Sequence, residues 1–340
     1  MIILSLIQTC RIRISFQINI RELNDRYNKM KPLVSVAVLT YNSETTIRQC
    51  IDSILMQKTD FDFEIVVGDD CSEDYTRSIL TDYSKQYPAK FVLLFNKTNE
   101  GVSKNNISVL SHCRGEFVAM CEGDDYWLDD KKLFRQVEFL RKNDDYGFVG
   151  SDCAMLYSDG TIKPFMTDEG LGQWVLLGDV FAHAVSGPVV RTPVLCFRSS
   201  IIKPYLSYVG AGNDTVLQAI LAKHSLFAKW SRPMAVYRVG GISNGHSSLE
   251  KELKYNDYAA LNRRLKHDLF PSYVHFNEDE FLDRGDYIRL KYAVREKKWR
   301  EALYIKKGLR TPQYRKRKCV KYLLGPISCL VLSIGLKRNG

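Results

Sequence analysis

The sequence predicts an α/β protein, with a doubly wound and mostly parallel central sheet flanked by helices and a basic helical extension at its C-terminal end. Three observations carry this. Apolar runs of strand length alternate with helix-period segments from Leu33 onward, each run ends in a polar cluster, and the positive charge is gathered near the C-terminus.

"LVSVAVL" from Leu33 is a β-branched run of the kind that forms a buried strand. It ends in "TYN", and Ile47, Cys50, Ile51, Ile54 and Leu55 then follow the spacing of one helix face, with Asn42 or Ser43 available as the cap. "FEIVV" is a second strand running into "GDDCSED", ahead of a helix through Ile79, Leu80 and Tyr83. "KFVLLF" is the third strand, a polar loop and a helix over Asn105–Cys113 come next, and "EFVAM" is the fourth. Strands and helices alternating at this length make parallel βαβ units. Ligands of such sheets bind outside the carboxyl ends of the strands, so "TYN", "GDD" and "EGDD" converge on one rim.

The chain of 340 residues is 45% hydrophobic and 26% charged, the balance of an ordinary globular protein with room for a large core. Its nine cysteines are scattered without a Cys-x-x-Cys pair, which speaks against a zinc site and for a reducing, cytoplasmic compartment. From Asp286 onward there are 16 Lys/Arg against 3 Asp/Glu, so the net charge of +10 belongs to the tail and the first 285 residues are slightly acidic. "MIILSLIQTC" lacks a basic leader and is too short for a bilayer span. The strand pattern begins only after "NKMKP", which makes residues 1–29 an extension outside the fold and Met30 a candidate start.

"FVAMCEGDDYW" brings Glu122, Asp124 and Asp125 together at the end of a buried strand. One reading is turn chemistry ahead of a capped helix, with Asp129 in the same role. The other is a bound cation that offsets the repulsion. Neither G-x-G-x-x-G after the first strand nor a P-loop motif is present, so a dinucleotide cradle is disfavoured. Phosphates neutralised by a metal on carboxylates remain, and hard oxygen ligands suit Mg²⁺ or Mn²⁺.

"VSVAVLTYNSETTIRQCIDSILMQ", "FEIVVGDDCSEDYT", "NEGVSKN" and "GEFVAMCEGDDYWLDDKKLFRQVEFL" occur in an order that resembles the inverting glycosyltransferases of family 2. The resemblance runs from about Pro32 to Asn244 and implies the GT-A fold. It also implies a likeness to enzymes building bacterial capsule, lipopolysaccharide and other surface glycans. The implied domains are an extension at 1–29, a GT-A domain at 30–246 and a basic helical region at 247–340. By this resemblance Asp70 reads the base of a nucleotide sugar, most simply a UDP-sugar, with Asp69 beside it. Thr40, Tyr41, Asn42 and Glu44 line the same pocket, and Asn99, Gly101 and Asn105 form the loop near the nucleoside. Asp124 and Asp125 match the DxD-like motif, with Asp125 on the metal and Asp124 on the ribose or a metal-bound water. Glu122 stands where Asp is usual.

Further along, "YVGAGNDTVLQAILAKHSLFAKW" resembles the family's acidic motif before a helix, which makes Asp214 the candidate general base, against the reading of an ordinary N-cap. "RTPVLCFR" resembles the strand that floors the acceptor site, with Thr192 and Arg198 as candidate acceptor residues. "YRVGGISNGH" departs from the family's Tyr-Arg-x-His, since Val239 and Gly240 occupy the place of the His and His246 lies further on.

The tail reads as helices, with "YIRLKYAVREKKWREALYIKKGL" amphipathic and basic, then "RKRK" and a fifteen-residue apolar stretch too short for a span. A peripheral site on the anionic cytoplasmic leaflet, near a polyprenyl-linked or other glycan acceptor, and a plain solvated helix are the two readings. No nucleic-acid module accompanies the charge. The alternatives of other classes are a nucleotidyltransferase on a similar sheet and a non-catalytic glycan-binding protein. The first lacks its Gly-rich loop in "LTYNSETT", and the second has no need of four placed acids.

Overall fold

A computed structural model describes residues 31–165, 174–239 and 249–311. The chain divides into two compact units, residues 1–239 and 240–340. Residues 1–29, His246, the "RKRK" run and the apolar stretch after it lie outside the described residues.

The first unit is built on a ten-stranded sheet. Strands β1 (Val34–Thr40), β2 (Phe63–Asp69), β3 (Phe91–Phe95) and β4 (Phe117–Glu122) lie in the order β3-β2-β1-β4, with every neighbouring pair parallel. The joining helices are α1 (Ile47–Leu55), α2 (Thr76–Gln86) and α3 (Val102–His112). These are the four strands and three helices that the periodicity predicts. β1 and β2 are buried throughout, as parallel strands covered on both faces must be. Helix α1 turns Ile47, Cys50, Ile51 and Ile54 inward. Its N-terminus differs from expectation. Thr46 takes the cap position, but its hydroxyl does not cap the helix, and Asn42, at φ 48°, serves a loop instead.

Beyond β4 the sheet changes character. Strand β5 (Tyr126–Trp127) leaves the acid turn, helix α4 (Lys132–Lys142) follows, and β6 (Tyr146–Leu156) leads to β7 (Ile162–Phe165) and β8 (Trp174–Gly178). After helix α5 (Phe181–Ser186) come β9 (Cys196–Arg198), the short helix α6 (Ser199–Ile202), helix α7 (Asp214–His224) and β10 (Leu226–Arg238). β9 lies between β4 and β6, antiparallel to both, while β10 runs parallel to β6 and antiparallel to β5 and β8. The parallel pattern predicted from the first half therefore gives way to a mixed sheet in the second.

The second unit contains helices α8 (Leu249–Leu269), α9 (Glu278–Arg295) and α10 (Trp299–Gly308). The basic stretch from Tyr287 to Leu309 is broken at Lys297, which adopts φ 61°, so it forms two helices. Leu290, Ala293 and Ala302 make the small core where these two pack. Among the described residues no helix is long and apolar enough to cross a membrane.

Candidate active site

Thr40 and Asp69 end adjacent strands in register, so the loops after β1 and β2 leave the sheet side by side. Polar side chains stitch them together. The Asn42 N–H donates to Ser72 Oγ (2.8 Å) and the Glu73 N–H to Asn42 Oδ1 (2.9 Å). The Glu44 N–H donates to Asp74 Oδ2, and the Tyr75 N–H donates to Glu44 Oε2, both at 3.0 Å. Asn42 and Glu44 thus tie the two loops together, beside a half-buried Tyr41.

The two adjacent aspartates have different roles. Asp69 is fully buried and accepts from Ser72 and from the Arg77 guanidinium, which also reaches the Asn96 carbonyl. Asp70 gathers the next loop: its Oδ1 accepts from Asn96 Nδ2 and the Glu100 N–H, and its Oδ2 from the Gly101 N–H, all at 2.8 Å. Asn99 Oδ1 accepts from the same Gly101 N–H (3.2 Å). Gly101 sits at φ 85°, ψ 156°, a conformation essentially reserved for glycine, and starts α3. Asn105 donates its side-chain amide to the Gly68 carbonyl at 2.9 Å. Asn99, Gly101 and Asn105, expected at the nucleoside, are therefore brought together beside Asp70.

The acid turn joins β4 to β5. The Asp125 N–H donates to the Glu122 carbonyl (2.9 Å), so the turn read from "EGDD" is real. Gly123 is pinned to β1: its N–H donates to the Leu39 carbonyl (2.7 Å) and its carbonyl accepts from Thr46 Oγ1 (2.9 Å). Asp129 does turn work, accepting from the Lys131 N–H and from Arg135, while Lys131 itself takes the cap position of α4.

Turn chemistry leaves the carboxylates unexplained. Oxygens of Glu122, Asp124 and Asp125 all lie within 4.8 Å of one another. Asp125 is 1% exposed; its Oδ1 accepts from the Arg238 N–H (2.8 Å), while its Oδ2 is buried with no partner. Burial, and then the neighbouring Asp124, push the Asp125 carboxyl up to about 8. Burial lifts Asp124 too, and burial together with Asp125, Asp124 and Asp214 lifts Glu122 well above the usual carboxylate range. Three oxygen-donor acids, one with an orphaned oxygen, have the chemistry of a hard divalent cation site. The residues present fit Mg²⁺ or Mn²⁺, with Glu122 in reach beside Asp124 and Asp125.

Asp214 opens α7, where Asn213 is the cap and accepts from Thr215. Its charge adds to the rise of Glu122, after burial, Asp125 and Asp124. Thr192 is buried in a 3₁₀ turn over 192–194. Arg198 is not brought to the cluster. It pairs with Phe117 at the opposite end of β4 from Glu122, and its guanidinium binds the Leu140 and Tyr146 carbonyls.

Two arginines escaped the sequence reading. Arg238 donates its backbone N–H to Asp125 and its guanidinium to the Asp124 carbonyl, and lies over the Tyr126 ring. Arg191 lies 4.9 Å from the centre of the Tyr237 ring, and its charge opposes the upward shifts of Glu122 and Asp125. The "YR" dipeptide that ends β10 was a usable signal for Arg238. Nothing local marks Arg191.

Residues 35–155, which hold the loops after β1, β2 and β3 and the whole acid turn, match the model of "Glycosyl transferase family 2". This segment is a family 2 glycosyltransferase domain. Asp214, Thr192, Arg191 and Arg238 lie beyond the matched residues of that domain. The chain is 39% identical over 127 residues to an uncharacterized protein of Mycobacterium tuberculosis, covering 37% of each chain. It is 34% identical over 137 residues to the Escherichia coli UDP-Glc:alpha-D-GlcNAc-diphosphoundecaprenol beta-1,3-glucosyltransferase WfgD, covering 40% of this chain and 52% of that one. It thus spans about a third to a half of the length of these relatives. The fold is similar to that of Staphylococcus aureus TarS residues 1–349 in complex with UDP-GlcNAc, with a TM-score of 0.51 at 18% identity over 80% of this chain and 79% of that one. The glycosyltransferase domain therefore sits in a fold of GT-A type.

Proposed function

We propose that the protein is an inverting glycosyltransferase. It takes a sugar from a nucleoside diphosphate donor, a UDP-sugar by first choice, to a hydroxyl of a glycan or polyprenyl-linked acceptor in surface polysaccharide synthesis. The observation that carries this is the buried acid turn with its orphaned Asp125 oxygen, standing beside the nucleotide-side loops and within the field of Asp214. The curated name of the relative WfgD, a UDP-glucose-dependent enzyme acting on a diphosphoundecaprenol-linked sugar, supports the donor and acceptor classes.

Asp70 and the loop it gathers hold the base, with Asn42 and Glu44 keeping the pocket wall in shape. Asp125 and Asp124 hold the cation, with Glu122 as a further ligand in reach. When bound, Mg²⁺ or Mn²⁺ neutralises the diphosphate, stabilising the leaving charge by about several kcal/mol. Asp214 takes the proton of the acceptor hydroxyl. The new bond from that oxygen to the anomeric carbon forms as the bond to the diphosphate breaks, and the electron pair leaves with the nucleoside diphosphate. One base on the face opposite the leaving group gives inversion.

The second unit supports a cytoplasmic site at the membrane surface. From Arg289 to Arg310 it carries nine Lys/Arg against two Glu, a match for an anionic leaflet at about 1 kcal/mol per well-placed charge.

A thermal-shift panel of nucleotide sugars with Mn²⁺, Mg²⁺ or EDTA tests the reading, using wild type, Asp125→Ala and Asp214→Asn. The expected result is a metal-dependent rise in Tm, lost in Asp125→Ala and kept in Asp214→Asn, with turnover down about 10²–10⁴-fold in Asp214→Asn. No shift with any donor would overturn the glycosyltransferase reading. Wild-type turnover in Asp214→Asn would overturn the base assignment alone.

A further inference from the structure

We propose that Asn106 couples the nucleotide-side loop to the turn that carries Asp214, which makes Asn106 a positioning residue for that acid. The inference rests on the reading of Asp214 as the base, and it concerns two residues, Asn106 and Gly212, that the site described above does not use.

Helix α3 stands between the two halves of the site. Its first end is set by Asp70, which accepts from the Glu100 and Gly101 N–H groups just ahead of it. Asn105 and Asn106 then sit side by side on its second turn, each 2% exposed. Consecutive helix residues project about 100° apart, so the two amides reach different neighbours. Asn105 donates to the Gly68 carbonyl, which immediately precedes Asp69 and Asp70. Asn106 donates to the Gly212 carbonyl at 2.9 Å, immediately ahead of Asn213 and Asp214.

Both contacts are made at glycines because the helix comes too close for a side chain. A Cβ on Gly68 would lie 2.4 Å from Val109 Cγ2 and 2.5 Å from Asn105 Oδ1. A Cβ on Gly212 would lie 2.0 Å from the Ser103 carbonyl oxygen, a backbone atom that cannot swing aside. The turn over Val209–Gly212 is therefore seated directly on the backbone of α3. From there the link to the acid is short: the Asn213 N–H donates to the Gly210 carbonyl (3.0 Å), the Asn213 side chain caps α7, and the Leu217 N–H donates to the Asn213 carbonyl (2.8 Å). The Asn105–Asn106 pair thus anchors the turn after β2 and the turn before Asp214 on one helix, so close packing holds the two in fixed relation.

Hydrogen exchange on the full chain tests this, comparing wild type, Asn106→Ala, Gly212→Ala and a control, Ser111→Ala, on an exposed part of the same helix. The expected result is faster exchange over 213–217 in both test variants and not in the control, with residues 96–101 unchanged. UDP release from UDP-glucose and UDP-N-acetylglucosamine supplies the second readout. An acid displaced by about 1 Å is expected to lower kcat by about 100-fold, with the KM for the nucleotide sugar within twofold of wild type. Unchanged exchange over 213–217 in Asn106→Ala overturns the coupling even if Gly212→Ala fails to fold. Faster exchange at unchanged kcat overturns the positioning role, as does a loss of nucleotide affinity as large as the loss of kcat, which assigns Asn106 to fold stability. Wild-type kcat in Asp214→Asn is a separate result that strikes the base reading itself.

Discussion

Asp125→Asn should stabilise the metal-free protein even as it removes the response to divalent cations. The Asn keeps the oxygen that accepts the Arg238 N–H and puts an amide where the unpartnered Oδ2 now sits, facing acids that can accept from it. Asp125 has its carboxyl pushed up to about 8 by burial and then by Asp124, against about 3.9 in an unfolded chain. The sign follows directly. Between those two values the unfolded carboxyl is ionised and the folded one protonated, so the folded state binds more protons. Stability is then fully present below about pH 4 and is lost as pH rises through about 8, by about 1.4 kcal/mol per pH unit. Four units set an upper bound of about 5 kcal/mol. Glu122 and Asp124 share the site, so removing one charge relieves roughly half, about 2–3 kcal/mol, or about 4–12 °C in Tm for a domain of this size. The assay is thermal unfolding in EDTA from pH 5 to pH 8. The variant should gain most at pH 8 and little at pH 5, and added Mn²⁺ should raise the Tm of wild type alone. A variant less stable than wild type at pH 8 in EDTA, or a gain independent of pH, would refute the reasoning.

Lys132 is fully buried over the Trp127 ring at 3.9 Å, donates to Gln136 Oε1, and has its amine pushed down to about 8 by burial. Its unfolded value is about 10.4, so it weakens the fold below pH 8 and ceases to do so as pH rises toward 10.4. Lys132→Met should gain about 1 kcal/mol at pH 7, a gain that disappears near pH 10 in urea titrations; a loss at pH 7 would show that the Trp127 and Gln136 contacts outweigh burial. Gly101→Ala meets no atom within 4 Å, so its effect is backbone strain alone, about 1–3 kcal/mol. It should weaken nucleoside diphosphate binding in calorimetry through the Asp70 contact, and unchanged affinity would separate that loop from the base pocket.

The βαβ half of the fold was legible because its signals are local. Strand runs, the helix-face spacing of Ile47 to Leu55 and the polar clusters at strand ends are all read within one window of sequence. Periodicity cannot say which strands pair, so the antiparallel insertion of β9 between β4 and β6 was invisible. That insertion is why Arg198 points away: it falls beside Phe117 at the start of β4, and the acids are at the end. Asp69 and Asp70 look equivalent in sequence, yet one is enclosed with Arg77 and the other organises residues 96–101.

The alternating sheet, the rim on which the polar loops gather, and the acid turn could all be read along the chain, since each depends on residues adjacent in sequence. Which carboxylate oxygen is left without a partner, that Arg238 bonds Asp125 and the Asp124 carbonyl, and that Asn106 reaches the turn before Asp214 are set by tertiary contacts alone. Those facts depend on side chains distant in sequence meeting at hydrogen-bond range. Strand order and close helix packing set such meetings, and no local pattern encodes them.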